Sequence, residues 1–382
     1  MKRTLYNDDH LAFGASFRSF IAKEISPHYL EWEKEGISPK NLYAKAGSNG
    51  FLGMAIPEQY GGGGIKDFRF NAIIAEELAA AGISGSGAGL TLHNDITTPY
   101  YTDICNDEQK ARWLPGIASG ELVTAIAMTE PGTGSDLAGI ATTARRDGDR
   151  YILNGSKTFI TNGINSDIII VAAKTDPTQR HTGMSLMVVE RGMPGFERGR
   201  NLDKIGMHSQ DTAELFFTDV EVPVANLLGD EGRAFHYLTS NLAQERLSIA
   251  VAGVAFARSA LGWTIDYVKE RQAFGQSISN FQNTKFVLAE QRTAIDVAQA
   301  YVDQCIVALN ADELSAAEAA AAKYWCTELQ NSVTDKCLQL FGGYGYMSEY
   351  PIARAYADAR ITTIYGGTTE VMKTIIAKEM GL

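Results

Sequence analysis

The stretch LAQERLSIAVAGVAFARSALGWTIDYVKE, residues 242–270, decides the fold. Its apolar residues Leu247, Val251, Val254, Leu261, Ile265 and Val268 recur at gaps of three, four or seven, drawing one apolar stripe along a single helix. Nine of the ten prolines lie at or before Pro223, and none follows until Pro351. An interior proline costs a helix about 3 kcal/mol, so a proline-free region of this length suits long helices. Leu288, Ile295, Val302 and Leu309 repeat the stripe, and the Ala-rich residues 315–339 add a third helix. The last third reads as a helical bundle.

Upstream the period changes. From about 123 to 230 the chain breaks into short β-rich pieces: 151–153, the pair Asn154-Gly155, 157–161, 167–173, 184–190 and 213–222. An Asn-Gly pair between such runs is a hairpin cue, since both residues tolerate positive φ. The expectation is a small antiparallel sheet or barrel. The first 120 residues return to helical spacing, with Phe17, Phe20, Ile21 and Ile25, then Ile73, Ile74 and Leu78, around a Gly61 to Gly64 loop. The expected domains are therefore 1–122 helical, 123–230 β and 231–382 a helical bundle.

Composition limits the function. With 382 residues, 45% apolar, there is material for two or three domains with a large core and no need of metals or disulfide bridges. Lys plus Arg number 34 against 45 Asp plus Glu, a net charge of −11, which argues against nucleic acid as a partner. Cys105, Cys305, Cys326 and Cys337 form no CxxC pair, and the six histidines are scattered without HExxH spacing, so no metal site is expected. Asp8 and Asp9 interrupt any secretory or transit pattern, and no run of about 18 apolar residues is uninterrupted. The expectation is a cytoplasmic protein with no membrane insertion. Neither a Walker loop nor GxGxxG is present, so any nucleotide cofactor is bound without a Rossmann motif.

Several glycine-rich segments interrupt this regularity. AMTEPGTGSD (127–136) sets the hydroxyls of Thr129, Thr133 and Ser135 beside Gly132 and Gly134, a pattern that suits phosphate or flavin edges but equally an ordinary loop. RQAFG (271–275), QLFGGYGYMSEYP (339–351) and IYGGTTE (364–370) punctuate helices, where each glycine costs about 1 kcal/mol relative to alanine and so needs a reason. Helix-end caps are one such reason and ligand contact another.

Taken together, TEPGTGSD, FITNG (159–163), RQAFG, LFGGYGYMSEYP and IYGGT, in this order and at these separations, resemble the acyl-CoA dehydrogenase family along essentially the whole chain. The resemblance implies an N-terminal helical domain, a middle β-domain and a C-terminal four-helix bundle, assembled as a homotetramer. It also implies FAD, held partly across a subunit interface. On it, Met128, Thr129, Gly134 and Ser135 would face the flavin or its pyrophosphate, and Phe159, Ile160 and Thr161 would cover the isoalloxazine ring. Arg271, Phe274, Gln282, Gln339, Leu340, Phe341, Gly342, Gly343, Thr368 and Glu370 match positions that hold the adenine dinucleotide, some from a neighbouring subunit. A permanently charged, fork-shaped Arg271 suits a pyrophosphate.

The chemistry the resemblance implies needs a carboxylate to remove a proton α to a thioester while the β-hydrogen leaves as hydride to flavin N5. Most of the family carries that glutamate in IYEGT, where this chain has Gly366. Glu245, in LAQERLSIA, is the expected substitute, because the branch with long-chain and isovaleryl acyl-CoA dehydrogenases places its base there, beside an arginine matched by Arg246. The bland alternative for Glu245 is a solvated i, i+4 pair, but position 249 is isoleucine. The backbone N–H at Gly366, with a flavin ribityl hydroxyl, would stabilise the enolate oxygen. Ser135, Glu245, Arg246, Gly366 and Gly367 are the expected substrate contacts. KIGMHSQDTAELFF (204–217), AAKYWCTELQNS (321–332) and IYGGTTE resemble the long-chain enzymes more than the isovaleryl branch, so the expected reaction is dehydrogenation of long-chain acyl-CoA to trans-2-enoyl-CoA. An electron-transferring flavoprotein is the expected acceptor. A branched short-chain dehydrogenase and a flavin oxidase on the same scaffold are the alternatives.

Overall fold

The computed structural model describes residues 3–382. Seven helices come first: α1 (Asp8–Phe20), α2 (Tyr29–Glu35), α3 (Asn41–Ser48), α4 (Phe68–Ala80), α5 (Gly85–Thr91), α6 (Thr98–Asp103) and α7 (Asp107–Ser119). Asn7 and Asn106 begin α1 and α7 with reciprocal capping boxes, and Gly120, at φ 74°, ends α7. Between α5 and α6 the chain runs through a π-helical segment, Leu92–Thr97.

An eight-stranded sheet follows: β1 (Thr124–Ala127), β2 (Thr143–Asp147), β3 (Arg150–Thr161), β4 (Ile168–Lys174), β5 (Met184–Glu190), β6 (Phe196–Asn201), β7 (Thr212–Pro223) and β8 (Leu227–Leu228), in the order β6-β7-β3-β2-β4-β5-β8 with β1 on β4. The main pairings are antiparallel, as expected, but β1 runs parallel to β4, Thr124 opposite Ile168, because the β2–β3 hairpin lies between them in the chain. Alternate residues of β4 and β5 enter two different cores. Ile168, Ile170, Leu186 and Val188 pack with Tyr100, Trp113 and Leu238 of the helices, while Ile169, Val171, Met187 and Val189 pack with β3 and β7. Burial on both faces explains why these strands are continuously apolar rather than alternating.

Asn154-Gly155 is not the hairpin turn that the sequence reading expects. β3 continues through it, with a shift of register against β7, and the turn is Gly148-Asp149. A Cβ at Gly155 would stand 2.5 Å from the Thr142 hydroxyl, so the glycine serves close approach at a bulge.

The C-terminal third is helical: α8 (Ala234–Glu270), a short hairpin, β9 (Gln272–Ala273) with β10 (Gln276–Ser277), then α9 (Gln282–Asn310), α10 (Ala316–Phe341), α11 (Pro351–Ala359) and α12 (Thr369–Glu379). Leu247, Val251, Val254 and Leu261 of α8 share one core with Ile295 and Val302 of α9, Cys326, Val333 and Cys337 of α10, and Phe68, Ala72 and Ala75 of α4. By length and composition α8 passes as a membrane span, but 61% of its apolar window is buried inside the protein, as befits the central helix of a bundle.

Candidate active site

Glu245 lies on α8 where α6 crosses it, and it is only 4% exposed. Its Oε1 accepts the Tyr100 hydroxyl at 2.9 Å. Burial raises the carboxyl pKa to about 7, against the opposing pull of that hydrogen bond and of the neighbouring Arg246. Arg246 is itself 5% exposed, its guanidinium makes no hydrogen bond among the described residues, and its buried Nε has no partner.

The glycine turn before α12 packs on the same face of α8. A Cβ on Gly366 would stand 2.3 Å from Ile249 Cδ1, and Ile249 follows Glu245 by one helical turn. Gly366 and Gly367 have φ of 63° and 100°, in the left-handed region that favours glycine. Neither N–H donates to another group among the described residues. The Gly367 carbonyl accepts from Lys323 Nζ at 2.7 Å; Lys323 is fully buried on α10, and burial together with the Arg246 charge lowers its pKa to about 8. The Gly366-Gly367 turn is thus a fixed stretch of backbone beside the Glu245 face of α8.

A second anchor holds α8 through the neighbours of Glu245, Gln244 and Ser248. Asp95, in the π-helical segment, is 2% exposed and accepts from Ser248 Oγ at 2.5 Å and Asn71 Nδ2 at 2.7 Å, while its carbonyl accepts from Gln244 Nε2. Burial raises its pKa to about 6, against those two side-chain bonds.

At the β-domain edge, the loop after β1 and the end of β3 lie side by side, joined by the Thr158 N–H donating to the Thr129 carbonyl at 2.9 Å. Below them Lys157 Nζ, buried, donates to Glu130 Oε1 at 2.8 Å and to the Met128 carbonyl at 3.0 Å, and Glu130 also accepts the N–H groups of Ala141 and Thr142. Burial lowers the Lys157 pKa to about 8 in spite of its partner. Phe159 bulges out at φ 61° with 68% of its surface exposed, an uncommon backbone conformation for a bulky residue. Gly134 and Ser135 are exposed and Thr161 half-buried, but the Ile160 side chain is buried in the sheet core, so that only its backbone is offered. Met128 packs against the cluster that contains Tyr100 and Leu238, which joins this shelf to the Glu245 region.

Arg271, Phe274, Gln282 and residues 339–343 gather elsewhere. Arg271 lies over the Tyr344 ring at 5.4 Å, and Tyr267 stacks on Phe341 at 4.1 Å. Phe274 is exposed, as are Gln282, Gln339, Gly342 and Gly343; Leu340 is half-buried, and the Phe341 ring is buried. Arg271 follows Glu245 by 26 residues, so at 1.5 Å rise per residue this group stands about 39 Å along α8 from the carboxylate. Thr368 caps α12, and with Glu370, Glu328, Asn331 and Arg360 it lines a 360 Å³ cavity next to the Gly366 turn.

Tyr100, Asp95 and Lys323 escape the sequence reading, and Ile249 enters it only as a missing ion-pair partner, not as the residue that packs on Gly366. Only Lys323 leaves a signal, as a single lysine on an otherwise apolar stripe with Ala319, Ala320 and Cys326.

The chain belongs to the acyl-CoA dehydrogenase family, whose members are oxidoreductases acting on CH–CH bonds. Residues 7–121 match the acyl-CoA dehydrogenase N-terminal domain, 125–220 the middle domain and 232–381 the C-terminal domain. Among individual relatives, the long-chain specific acyl-CoA dehydrogenase of Sus scrofa mitochondria is 48% identical over 99% of this chain and 88% of its own length. A crystal structure of acyl-CoA dehydrogenase from Geobacillus kaustophilus is 52% identical and superposes with a TM-score of 0.96 over 99% of both chains. A glutaryl-CoA dehydrogenase from Mycobacterium smegmatis, solved in complex with FADH2, is 28% identical with a TM-score of 0.91, covering 98% of this chain and 95% of that one.

Proposed function

We propose that this protein is an FAD-dependent dehydrogenase that converts long-chain saturated acyl-CoA to trans-2-enoyl-CoA, with Glu245 as the base. The observation that carries the assignment is a buried carboxyl, raised to about 7 and hydrogen-bonded through one oxygen, on the helix face where Gly366 leaves no side chain. A base poised near its working pH combines adequate ionisation with adequate strength.

The residues fit a flavin. Phe159 presents an exposed aromatic face, Thr129 and Ser135 bring hydroxyls, and open space surrounds Gly132 and Gly134 where Cβ atoms would be. The relative solved with FADH2 supports the same reading. Met128, Thr129, Gly134, Ser135, Phe159, the Ile160 backbone, Thr161, Thr368 and Glu370 would hold FAD from one subunit. Arg271, Phe274, Gln282 and residues 339–343, about 39 Å along α8, would serve the FAD of another, consistent with a homotetramer. When bound, FAD accepts the β-hydrogen as a hydride at N5.

The chain's own groups do the rest. Glu245 takes the α-proton in a site that its burial keeps from water. The unpartnered N–H groups of Gly366 and Gly367 are offered to the thioester oxygen as charge develops there, and Lys323 fixes their turn through the Gly367 carbonyl. Arg246 supplies a cation beside the acyl-CoA. An electron-transferring flavoprotein would be the acceptor. The preference for long chains is supported by the identity to the Sus scrofa enzyme.

The test is an anaerobic titration of the purified yellow protein with saturated acyl-CoAs of graded length. Bleaching by long chains at the lowest concentration is expected. Bleaching by short branched chains alone, or rapid turnover with oxygen as sole acceptor, would assign the chain to the isovaleryl type or to an oxidase.

A further inference from the structure

Glu245 is held from one side only. Oε1 accepts from Tyr100, the one hydrogen bond that the carboxylate makes among the described residues. Tyr100 is completely buried and is brought there by α6, whose neighbours Trp113, Ile126 and Leu238 fix its ring. Asn241, one turn before Glu245, lies near this hydroxyl, but its Nδ2 makes no hydrogen bond among the described residues. A buried phenol needs a partner, yet a core tyrosine aimed at the one carboxylate that must give and take a proton is an expensive choice if packing were its whole purpose.

We propose that Tyr100 is the positioning residue for the base: by donating to Oε1 it fixes the carboxylate plane and leaves Oε2 as the atom that receives the substrate's α-proton. This rests on Glu245 being the base. The donor favours the ionised carboxylate over the acid, because a protonated carboxyl is the poorer acceptor. It therefore opposes burial and sets where on the pH scale the base becomes active. The other charged groups around Glu245 are Arg246 on its own helix, Asp95 on the π-helical segment, bound to Ser248, and Lys323 on α10, which acts on Arg246. Among the described residues, Tyr100 alone hydrogen-bonds the carboxylate.

The experiment follows single-turnover reduction of the bound flavin by acyl-CoA across pH, for the wild-type holoenzyme, Tyr100→Phe and Glu245→Gln. A hydrogen bond to a charged acceptor is worth roughly one to two pKa units. The rising limb of Tyr100→Phe should move up by about that much, slowing reduction on the acid side at least ~10-fold, while the alkaline plateau stays within a few-fold of wild type. A tyrosine that only packed the core would change the plateau or the melting temperature and leave the limb in place. Incorporation of 3-fluorotyrosine at position 100 gives a stronger donor without a cavity, and should move the limb down. An unmoved limb in the fluorinated protein or in Tyr100→Phe, with Glu245→Gln inactive, overturns the role of Tyr100 and leaves the base intact. A Glu245→Gln protein that reduces flavin like wild type overturns both.

Discussion

Ile249 and Gly366 meet across the site: Ile249 Cδ1 lies 2.3 Å from where a Gly366 Cβ would be, and the same helix face carries Glu245 one turn earlier. The loop position and the helix position thus compete for one volume. In Gly366→Glu the new side chain must turn Ile249 aside and adopt φ near 63°, which costs about 1 kcal/mol for the backbone alone. A loss of roughly 1 to 3 kcal/mol in chemical denaturation is expected, without rescue of Glu245→Gln. Adding Ile249→Ala to the Gly366→Glu, Glu245→Gln protein should restore measurable flavin reduction, because it clears the space.

The raised pKa of Glu245 links activity to stability. In the unfolded chain the carboxyl titrates near 4.3, and in the folded protein near 7, so the folded state holds the extra proton between those values. Stability therefore falls as pH rises through that window, and the penalty is complete above it. Glu245→Gln removes the penalty. Its melting temperature relative to wild type should be higher at pH 8 than at pH 5, by an amount on the order of 2 kcal/mol in stability, as differential scanning calorimetry can measure.

Lys323 separates folding from catalysis. Its pKa is pushed down to about 8 chiefly by burial, so its charge is costly, while its one hydrogen bond holds the Gly367 carbonyl. Lys323→Met should keep or gain thermal stability and yet slow flavin reduction about 10- to 100-fold, since the N–H donors of the turn lose their support.

The Lys157–Glu130 pair is different, being buried on both sides and bonded directly to the loop after β1. Lys157→Met leaves the buried Glu130 carboxylate without its cation, held only by the Ala141 and Thr142 N–H groups, a loss of about 3 kcal/mol. The variant should be purified with a reduced FAD content, measured as the ratio of visible to ultraviolet absorbance. Adding Glu130→Gln should recover much of the stability.

The sequence carries the architecture further than it carries the site. The stripe from Leu247 to Leu261 and the proline-free region foretell α8, because helical spacing is local information. Asn154-Gly155 misleads, because the same two residues serve a turn or a bulge, and the Thr142 contact that decides between them is distant in the chain. The burial of Glu245 agrees with the expectation drawn from Gly366 and from the isoleucine at 249, which left no solvated i, i+4 partner. Tyr100 and Asp95 are not legible, since nothing in TTPYY or HND announces which helix they will face. Their roles arise from the crossing of α6 and the π-helical segment over α8.

The most direct test of the account is the rate of flavin reduction in Glu245→Gln under anaerobic stopped flow with long-chain acyl-CoA, with FAD content and acyl-CoA binding measured on the same sample. A protein that binds both normally but reduces its flavin at least ~10³-fold more slowly than wild type is expected, as for loss of a positioned general base. Reduction at the wild-type rate would contradict the assignment of Glu245 and require the proton to leave by another group.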